Sequence, residues 1–212
     1  ALDMPGRRFH VTTVLDVEND DWEDLESFSL GGDPWLVIAD VGDNRGRRDA
    51  VRLHFLPEPD PASEVVHVHT TLTLTYPDGA RDAEAVAVDP GTQSVYVLSK
   101  RDTPPHLYRA PLPELARTGS VEGVLEALGA VTCIPGPTAR ELREAPKLGP
   151  YRAQPTAMSL SPDGSFVALL TYRGVYRANI APDRDWLRAL NETLCSVAPV
   201  DLKQAESVAV DD

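Results

Sequence analysis

Acidic side chains recur within four similar segments of the 212-residue chain. The aligned positions in these segments are Glu23, Glu84, Thr156 and Glu206. Carboxylates that converge on one point repel one another unless a cation or a proton lies between them, so the three glutamates are candidate metal ligands. The alternative is structural: each glutamate accepts hydrogen bonds from backbone amides of a neighbouring strand and keeps the strands in register. Thr156 breaks the symmetry that a full ring of carboxylates would have.

A second group of oxygen donors lies in the loop at 40–44, Asp-Val-Gly-Asp-Asn. Asp40, Asp43 and Asn44 supply three oxygen side chains around a glycine that permits a sharp turn. Such donors suit Ca²⁺ better than Mg²⁺, because Mg²⁺ demands tighter octahedral geometry. The alternative is that Asp43 and Asn44 cap the turn by bonding their own backbone. The sequence therefore indicates possible calcium binding and no other cofactor.

Basic and aromatic residues lie near the same segments. The candidate anion- or ligand-binding residues are Arg45, Lys100, Arg101 and Arg173. Arginine suits this role because its guanidinium binds phosphate or carboxylate with two parallel hydrogen bonds. The candidate walls of the pocket are Asp21, Trp22, Asp82 and Tyr172. The stretch at 135–154 is long enough to act as a lid, although an ordinary solvated loop is the alternative.

The elements that must position these residues repeat as well. Each unit has a first strand that ends in a Gly/Pro/Asp turn, an apolar second strand, an alternating third strand and an outer fourth strand. The spacing between units varies while their core pattern is constant, as expected of blades with variable loops. Four antiparallel strands per unit predict an all-β fold, a β-propeller with four-stranded antiparallel blades. An open β-sandwich is the alternative.

We predict a single β-propeller domain over 1–212, of which the sequence holds only part. Its parts are an outer strand at 10–17, blades at about 21–75, 82–133 and 155–198, and an inner strand at 204–212. Three blades do not close a ring, so the full propeller is expected to have six. The starts of the first strands and the loops after the second strands would then share one channel mouth. Small helical insertions are expected at 121–128 and 182–194.

Composition excludes some classes of protein. The chain has 20 basic and 33 acidic residues and a net charge of −13, which argues against binding to nucleic acid. No apolar run is long enough to span a membrane. No signal peptide is visible, yet the first residues read as the middle of a strand-turn unit, which leaves a trimmed secreted protein open. Cys133 and Cys195 fall on outer strands that diverge, which favours free thiols over a disulfide.

The residues at 22–25, 39–45, 82–85 and 204–207 resemble an uncharacterised group of bacterial β-propeller proteins. That group is similar to the esterase-like phytase and regulatory-propeller families. The resemblance covers the whole chain, and the match to this group begins and ends within its propeller. It implies six blades and export to the periplasm or the extracellular space, with a cytoplasmic location left open.

Three functions fit these observations. The first is a binding module whose acidic and basic mouth holds a small molecule, an ion or a protein. The second is a Ca²⁺-dependent hydrolase of anionic esters, phytase-like or lactonase-like, in which the metal activates water and Arg45, Lys100 or Arg173 stabilises the oxyanion. The third is a metal-free scaffold whose acids are structural. No Gly-x-Ser-x-Gly motif is present, so binding is favoured and enzymatic activity stays open.

Overall fold

The computed structural model describes residues 11–200 and 204–210, and it is mostly β. The strands are β1 (Thr13–Leu15), β2 (Trp22–Leu30), β3 (Asp33–Asp40), β4 (Val51–Pro57), β5 (Val65–His67), β6 (Thr70–Thr75), β7 (Ala83–Asp89), β8 (Ser94–Ser99), β9 (His106–Pro111), β10 (Gly119–Val124), β11 (Glu126–Ala130), β12 (Pro155–Leu160), β13 (Phe166–Thr171), β14 (Gly174–Asn179) and β15 (Cys195–Pro199). The helices are α1 (Ala139–Glu144), α2 (Trp186–Glu192) and a 3-10 turn at Gly149–Tyr151. Within the described ranges, no helix has the length and apolar character needed to cross a membrane.

Three antiparallel sheets follow one another along the chain, as the repeat predicts. The first sheet has the order β2-β3-β4-β6, with β10 added in parallel to β6. The second sheet has the order β7-β8-β9-β11, and the third β12-β13-β14-β15. In every sheet the earliest strand lies at one edge, and these inner strands, β2, β7 and β12, pack beside one another.

Two buried clusters hold the sheets together. The first and second sheets enclose Phe28, Phe55 and Val86, whereas the second and third enclose Leu98 and Met158. Strands β7 and β8 are buried along their whole length, because the second sheet is covered on both faces. This double burial explains why their sequences are near-continuous apolar runs.

The helix predicted within 182–194 is α2, and it packs against the second and third sheets. Its Trp186 is buried and stacks on Tyr96 with the ring centroids 4.1 Å apart. The indole N–H of Trp186 donates to Asp89 Oδ2 at 3.0 Å. The side chain of Asp185 begins the helix by accepting the backbone N–H of Arg188. Helix α2 therefore covers one face of the core.

The prediction of a helix at 121–128 is wrong, because this segment contributes to strands β10 and β11. Strand β10 pairs with the outer edge of β6, from Gly119 opposite Thr70 to Val124 opposite Thr75. The apolar spacing of this segment is compatible with a helix, but the unpaired edge of β6 offers backbone hydrogen bonds that the spacing does not reveal. Pairing with a distant strand therefore overrides the local pattern.

The outer strands also differ from the predicted ranges. The strand predicted at 65–75 divides into β5 and β6, because β5 leaves the first sheet to pair in parallel with β1. The strand predicted at 10–17 is reduced to β1, and residue 10 lies outside the described residues. The outer strand of the second sheet is Glu126–Ala130 rather than 128–133. Cys133 and Cys195 are free, exposed thiols, as predicted.

The inner strand predicted at 204–212 is not assigned as a strand, and residues 211–212 lie outside the described ranges. Residues 204–210 nevertheless lie along β12. The hydroxyl of Thr156 donates to the carbonyl of Ala205 at 2.6 Å, and the N–H of Val210 donates to the hydroxyl of Ser159 at 3.3 Å. Side-chain hydroxyls take the place of a regular backbone ladder, so the strand pattern is incomplete.

Two buried carboxyl groups on β2 connect the three inner strands. Asp24 Oδ2 accepts the N–H of Val86 on β7 at 3.0 Å and that of Met158 on β12 at 3.4 Å. Glu26 Oε1 accepts the N–H of Leu160 at 3.1 Å. Burial raises the pKa of Asp24 to about 7 and that of Glu26 to about 9. The sequence suggested that the repeated glutamates accept hydrogen bonds from backbone amides of neighbouring strands. In the structure, Asp24 and Glu26 of β2 have this role.

We expect Asp24→Ala to lower the free energy of unfolding by about 2–4 kcal/mol. The buried amides of Val86 and Met158 would lose their acceptor, and an unsatisfied buried donor costs about 1–3 kcal/mol. Urea denaturation measures the change. Asp24→Asn keeps an acceptor oxygen and should lose less, while Glu122→Ala on exposed β10 should change stability by less than about 0.5 kcal/mol. A loss below about 1 kcal/mol for Asp24→Ala would contradict this assignment.

Glu26 should make stability fall as the pH rises. Its folded pKa of about 9 exceeds its ordinary value of 4.5, so unfolding releases a proton between those values. This contribution is full below pH 4.5 and is lost as the pH approaches 9. We expect the free energy of unfolding of the wild type to fall by up to about 1.4 kcal/mol per pH unit in this range.

Urea denaturation of Glu26→Gln across the same pH range checks this effect. The variant carries no titratable group at this position, so its stability should fall less steeply than that of the wild type. Glu122→Gln, which changes an exposed glutamate, should retain the slope of the wild type. Equal slopes for Glu26→Gln and the wild type would show that Glu26 does not titrate differently on folding.

Candidate functional site

Residues from all three sheets meet at the end where β2 and β7 begin and where β8 and β13 end. We call this group the mouth cluster. Its members are Asp21, Glu23, Asp82, Glu84, Lys100, Arg101, Tyr172 and Glu206. Their proximity shows in their electrostatics, since Lys100, Asp82 and Glu206 all act on the pKa of Glu23. The shared mouth that the sequence predicts therefore has a counterpart in the geometry.

A buried ion pair forms the floor of the mouth cluster. Lys100 Nζ pairs with Glu84 Oε1, and both side chains are at least nine-tenths buried. Lys100 also donates to the Tyr172 hydroxyl at 3.1 Å, which links the second sheet to the third. Burial lowers the pKa of Lys100. Glu84 Oε2 is buried and has no hydrogen-bond partner within the described part of the chain.

A second set of contacts links the loop at 40–44 to the second sheet. Arg101 pairs with Asp82 Oδ2 and also donates to Asn44 Oδ1. The other oxygen of Asp82 accepts the N–H of Asp43 at 2.8 Å. Asp82 and Arg101, predicted as a wall and as an anion-binding residue, thus neutralise each other.

Asp21 and Glu23 are the acids of the mouth cluster that lie next to a glycine. A Cβ on Gly42 would lie 2.5 Å from Asp21 Oδ2 and 2.6 Å from Glu23 Oε1, so both carboxylates pack against Gly42 and lie close to each other. Burial, followed by the charge of Asp21, raises the pKa of Glu23 to about 7. Neither carboxylate forms an ion pair with any described residue. A side chain at position 42 would have to displace these two carboxylates.

The two aspartates of the loop at 40–44 are occupied by protein donors. Asp40 is fully buried, and its Oδ1 accepts the N–H of Asp21 and the Nη1 of Arg48, both at 2.9 Å. Burial opposes its ionisation, but the nearby His54 imidazole and the hydrogen bonds from Arg48 and the Asp21 N–H hold the pKa of Asp40 at about 2. Asp43 Oδ2 accepts the N–H groups of residues 47 and 48 at 2.6 and 2.7 Å, so Asp43 caps the turn.

Other predicted residues lie at the edge of the mouth cluster or away from it. Arg45 is exposed and lines a cleft of about 250 Å³ together with Asn44 and with Asp21 of the mouth cluster. Arg173 points to α1, where it pairs with Glu141 and donates to the carbonyls of residues 135 and 136 at 2.7 Å. Trp22 is partly buried at the start of β2. Across residues 11–200 and 204–210, no three His, Cys, Asp or Glu side chains form a ready-made metal site.

The stretch at 135–154 is fastened next to the mouth cluster. Helix α1 begins at a capping box, in which Thr138 and Glu141 bond each other's backbone. Glu141 then pairs with Arg173, and Arg152 donates to the carbonyl of Tyr172 at 2.7 Å. This stretch therefore holds the turn that carries Tyr172, which is a more specific arrangement than either the lid or the solvated loop.

Sequence reasoning missed three residues that shape the site. Glu26 lies on the inner strand, two residues beyond Asp24 on the same face, so its period-two position was the available signal. Arg48 binds Asp40 and the carbonyl of Gly42 at 2.8 Å, and it belongs to the basic run that follows the loop. His54 lies next to Asp40 only because β3 and β4 pair in this register.

Comparison of the sequence with models of protein families finds no match, and a search of curated proteins finds no similar sequence.

We expect Lys100→Met to lower the free energy of unfolding by about 3–5 kcal/mol, because Glu84 would remain as a buried charge without its partner. The double variant Glu84→Gln/Lys100→Met should recover most of this loss, since it removes both charges. A double-mutant cycle measured by urea denaturation gives the coupling between the two residues. A cycle in which the two single effects simply add would contradict a buried ion pair.

Proposed function

We propose that the chain is part of a β-propeller and that it acts as a binding module through its mouth cluster. The order of strands supports the propeller, because each sheet starts at its inner strand and the three inner strands pack beside one another. In a six-bladed protein, as the resemblance implies, these strands would line a central channel. The loops that carry the mouth cluster would open at one end of that channel.

The proposed ligand is a cation, and one observation carries this choice. The basic residues of the mouth cluster are already paired with acids, Lys100 with Glu84 and Arg101 with Asp82. By contrast, the carboxylates of Asp21 and Glu23 lie close to each other beside Gly42 and have no basic partner among the described residues. A bound cation would relieve their repulsion and replace the proton that Glu23 retains near neutral pH.

Calcium is the ion that these donors suit best. Carboxylate oxygens are hard ligands, and Ca²⁺ takes about six to eight oxygens in flexible geometry. Asp21 and Glu23 would supply some of these oxygens, with water or a bound small molecule supplying the others. If the protein is exported, as the resemblance implies, it would need only the affinity of an extracellular module, a Kd of about 10⁻⁴–10⁻³ M.

Hydrolysis of anionic esters is less well supported. The mechanism suggested by the sequence uses a free cationic side chain near the metal to stabilise the developing oxyanion. Lys100 and Arg101 are neutralised within the mouth cluster, and Arg173 is bound to α1. The exposed Arg45 is the remaining candidate for this role. Binding therefore accounts for more of the geometry than catalysis does.

Isothermal titration calorimetry with CaCl₂ tests the proposal. We expect a Kd of about 10⁻⁴–10⁻³ M at pH 8. Affinity should be about tenfold weaker at pH 6, because a Glu23 carboxyl with a pKa of about 7 is mostly protonated there. Glu23→Gln should bind at least about tenfold more weakly at pH 8 and lose most of the pH dependence.

Glu122→Gln is the matched control, since it removes an exposed glutamate on β10 and should bind Ca²⁺ as the wild type does. Absence of binding at pH 8, or equal binding by Glu23→Gln and the wild type, would refute the proposed site.

A further inference from the structure

A second cavity lies at the opposite end of the inner strands from the mouth cluster. Its volume is about 690 Å³, within the range of about 300–1,000 Å³ that is usual for small-molecule sites. Its walls come from the later part of β2, the turn after β7, the turn after β12 and the segment 207–210. None of its lining residues belongs to the mouth cluster, so the two sites are separate.

The charged groups that line this cavity are satisfied within the protein. Arg184 pairs with Asp89 and donates to the carbonyl of Gly164 at 2.9 Å. Asp163 accepts the Ser161 hydroxyl at 2.7 Å and a backbone N–H at 2.9 Å. Glu26 is buried, and burial raises its pKa to about 9, so its carboxyl group is neutral at pH 7. An anionic ligand would therefore find no free cationic group in the described lining, and the exposed carboxylate of Asp163 would repel it.

The wall formed by β2 combines an apolar surface with hydroxyl groups. Leu25, Ser27 and Ser29 are exposed and alternate along the strand, which places them on one face. Leu25 is 53% exposed, an unusual position for a leucine on an inner strand. Leu160 lines the cavity from β12 and faces the same space. Such a mixture buries an apolar body while hydroxyls orient its polar groups.

We propose that this cavity binds an uncharged small molecule with an apolar body and a carbonyl or hydroxyl group. Leu25 and Leu160 pack against the body, while the hydroxyls of Ser27 and Ser29 bond the polar group. This site is independent of cation binding at the mouth cluster. It would give the module two ligands of opposite character at the two ends of the inner strands.

Nile red, an uncharged dye with a carbonyl group, is the probe for the test. We expect saturable binding with a blue shift of its emission, and a Kd at least about tenfold higher for Leu25→Asp and for Ser27→Trp. The first variant places a charge in the wall, and the second fills the cavity. Both residues are exposed, so far-UV circular dichroism should show wild-type folding.

Two controls make the result specific. Ser196→Trp adds the same side chain at an exposed position of β15, and Glu23→Gln alters the mouth cluster; both should bind the dye as the wild type does. The anionic dye 1-anilinonaphthalene-8-sulfonate should bind at least about tenfold more weakly than Nile red. Absence of saturable Nile red binding, unchanged binding by both cavity variants, or equal binding of the anionic dye would overturn the proposal.

Discussion

The backbone amides at the free edges of the inner strands need acceptors, and the architecture depends on how they obtain them. Strands β7 and β12 each have a partner on one side only, so their inner N–H groups face the space between the sheets. A buried amide without an acceptor costs about 1–3 kcal/mol. The carboxyl groups of Asp24 and Glu26 fill this need across the gap, and their burial there raises the pKa of both more than the amide hydrogen bonds lower it. One strand thereby connects three sheets.

Charge at the mouth cluster follows from the same packing. Bringing the sheets together places acids from several loops in one partly buried region, where repulsion must be relieved. Lys100 and Arg101 relieve it for Glu84 and Asp82, and these pairs also join neighbouring elements. Asp21 and Glu23 have no such partner in the described chain, and Glu23 responds by retaining a proton near pH 7. The incomplete neutralisation is the reason for proposing a cation beside these two carboxylates.

Position along β2 decides the chemistry of each side chain. Glu23 lies near the mouth, where charges are many, whereas Asp24 and Glu26 lie between the sheets and bond amides. Leu25 and Ser27 lie on the other face and line the cavity at the far end. A single extended strand can do this because successive side chains point to opposite faces and each residue advances the chain by about 3.3 Å. The two proposed sites therefore follow from the positions of these residues along β2 and from the alternation of its side chains between two faces.

The sequence by itself determined the type and order of the sheets, because turn residues and period-two alternation are local properties. It also indicated which acids and bases share one end, including Glu23, Glu84 and Lys100. Only the tertiary structure decided what each side chain contacts. Residues 119–124 form a strand because the edge of β6 is free, and Arg173 binds Glu141 because α1 lies beside it. These pairings join residues distant in the chain, so local spacing carries no record of them.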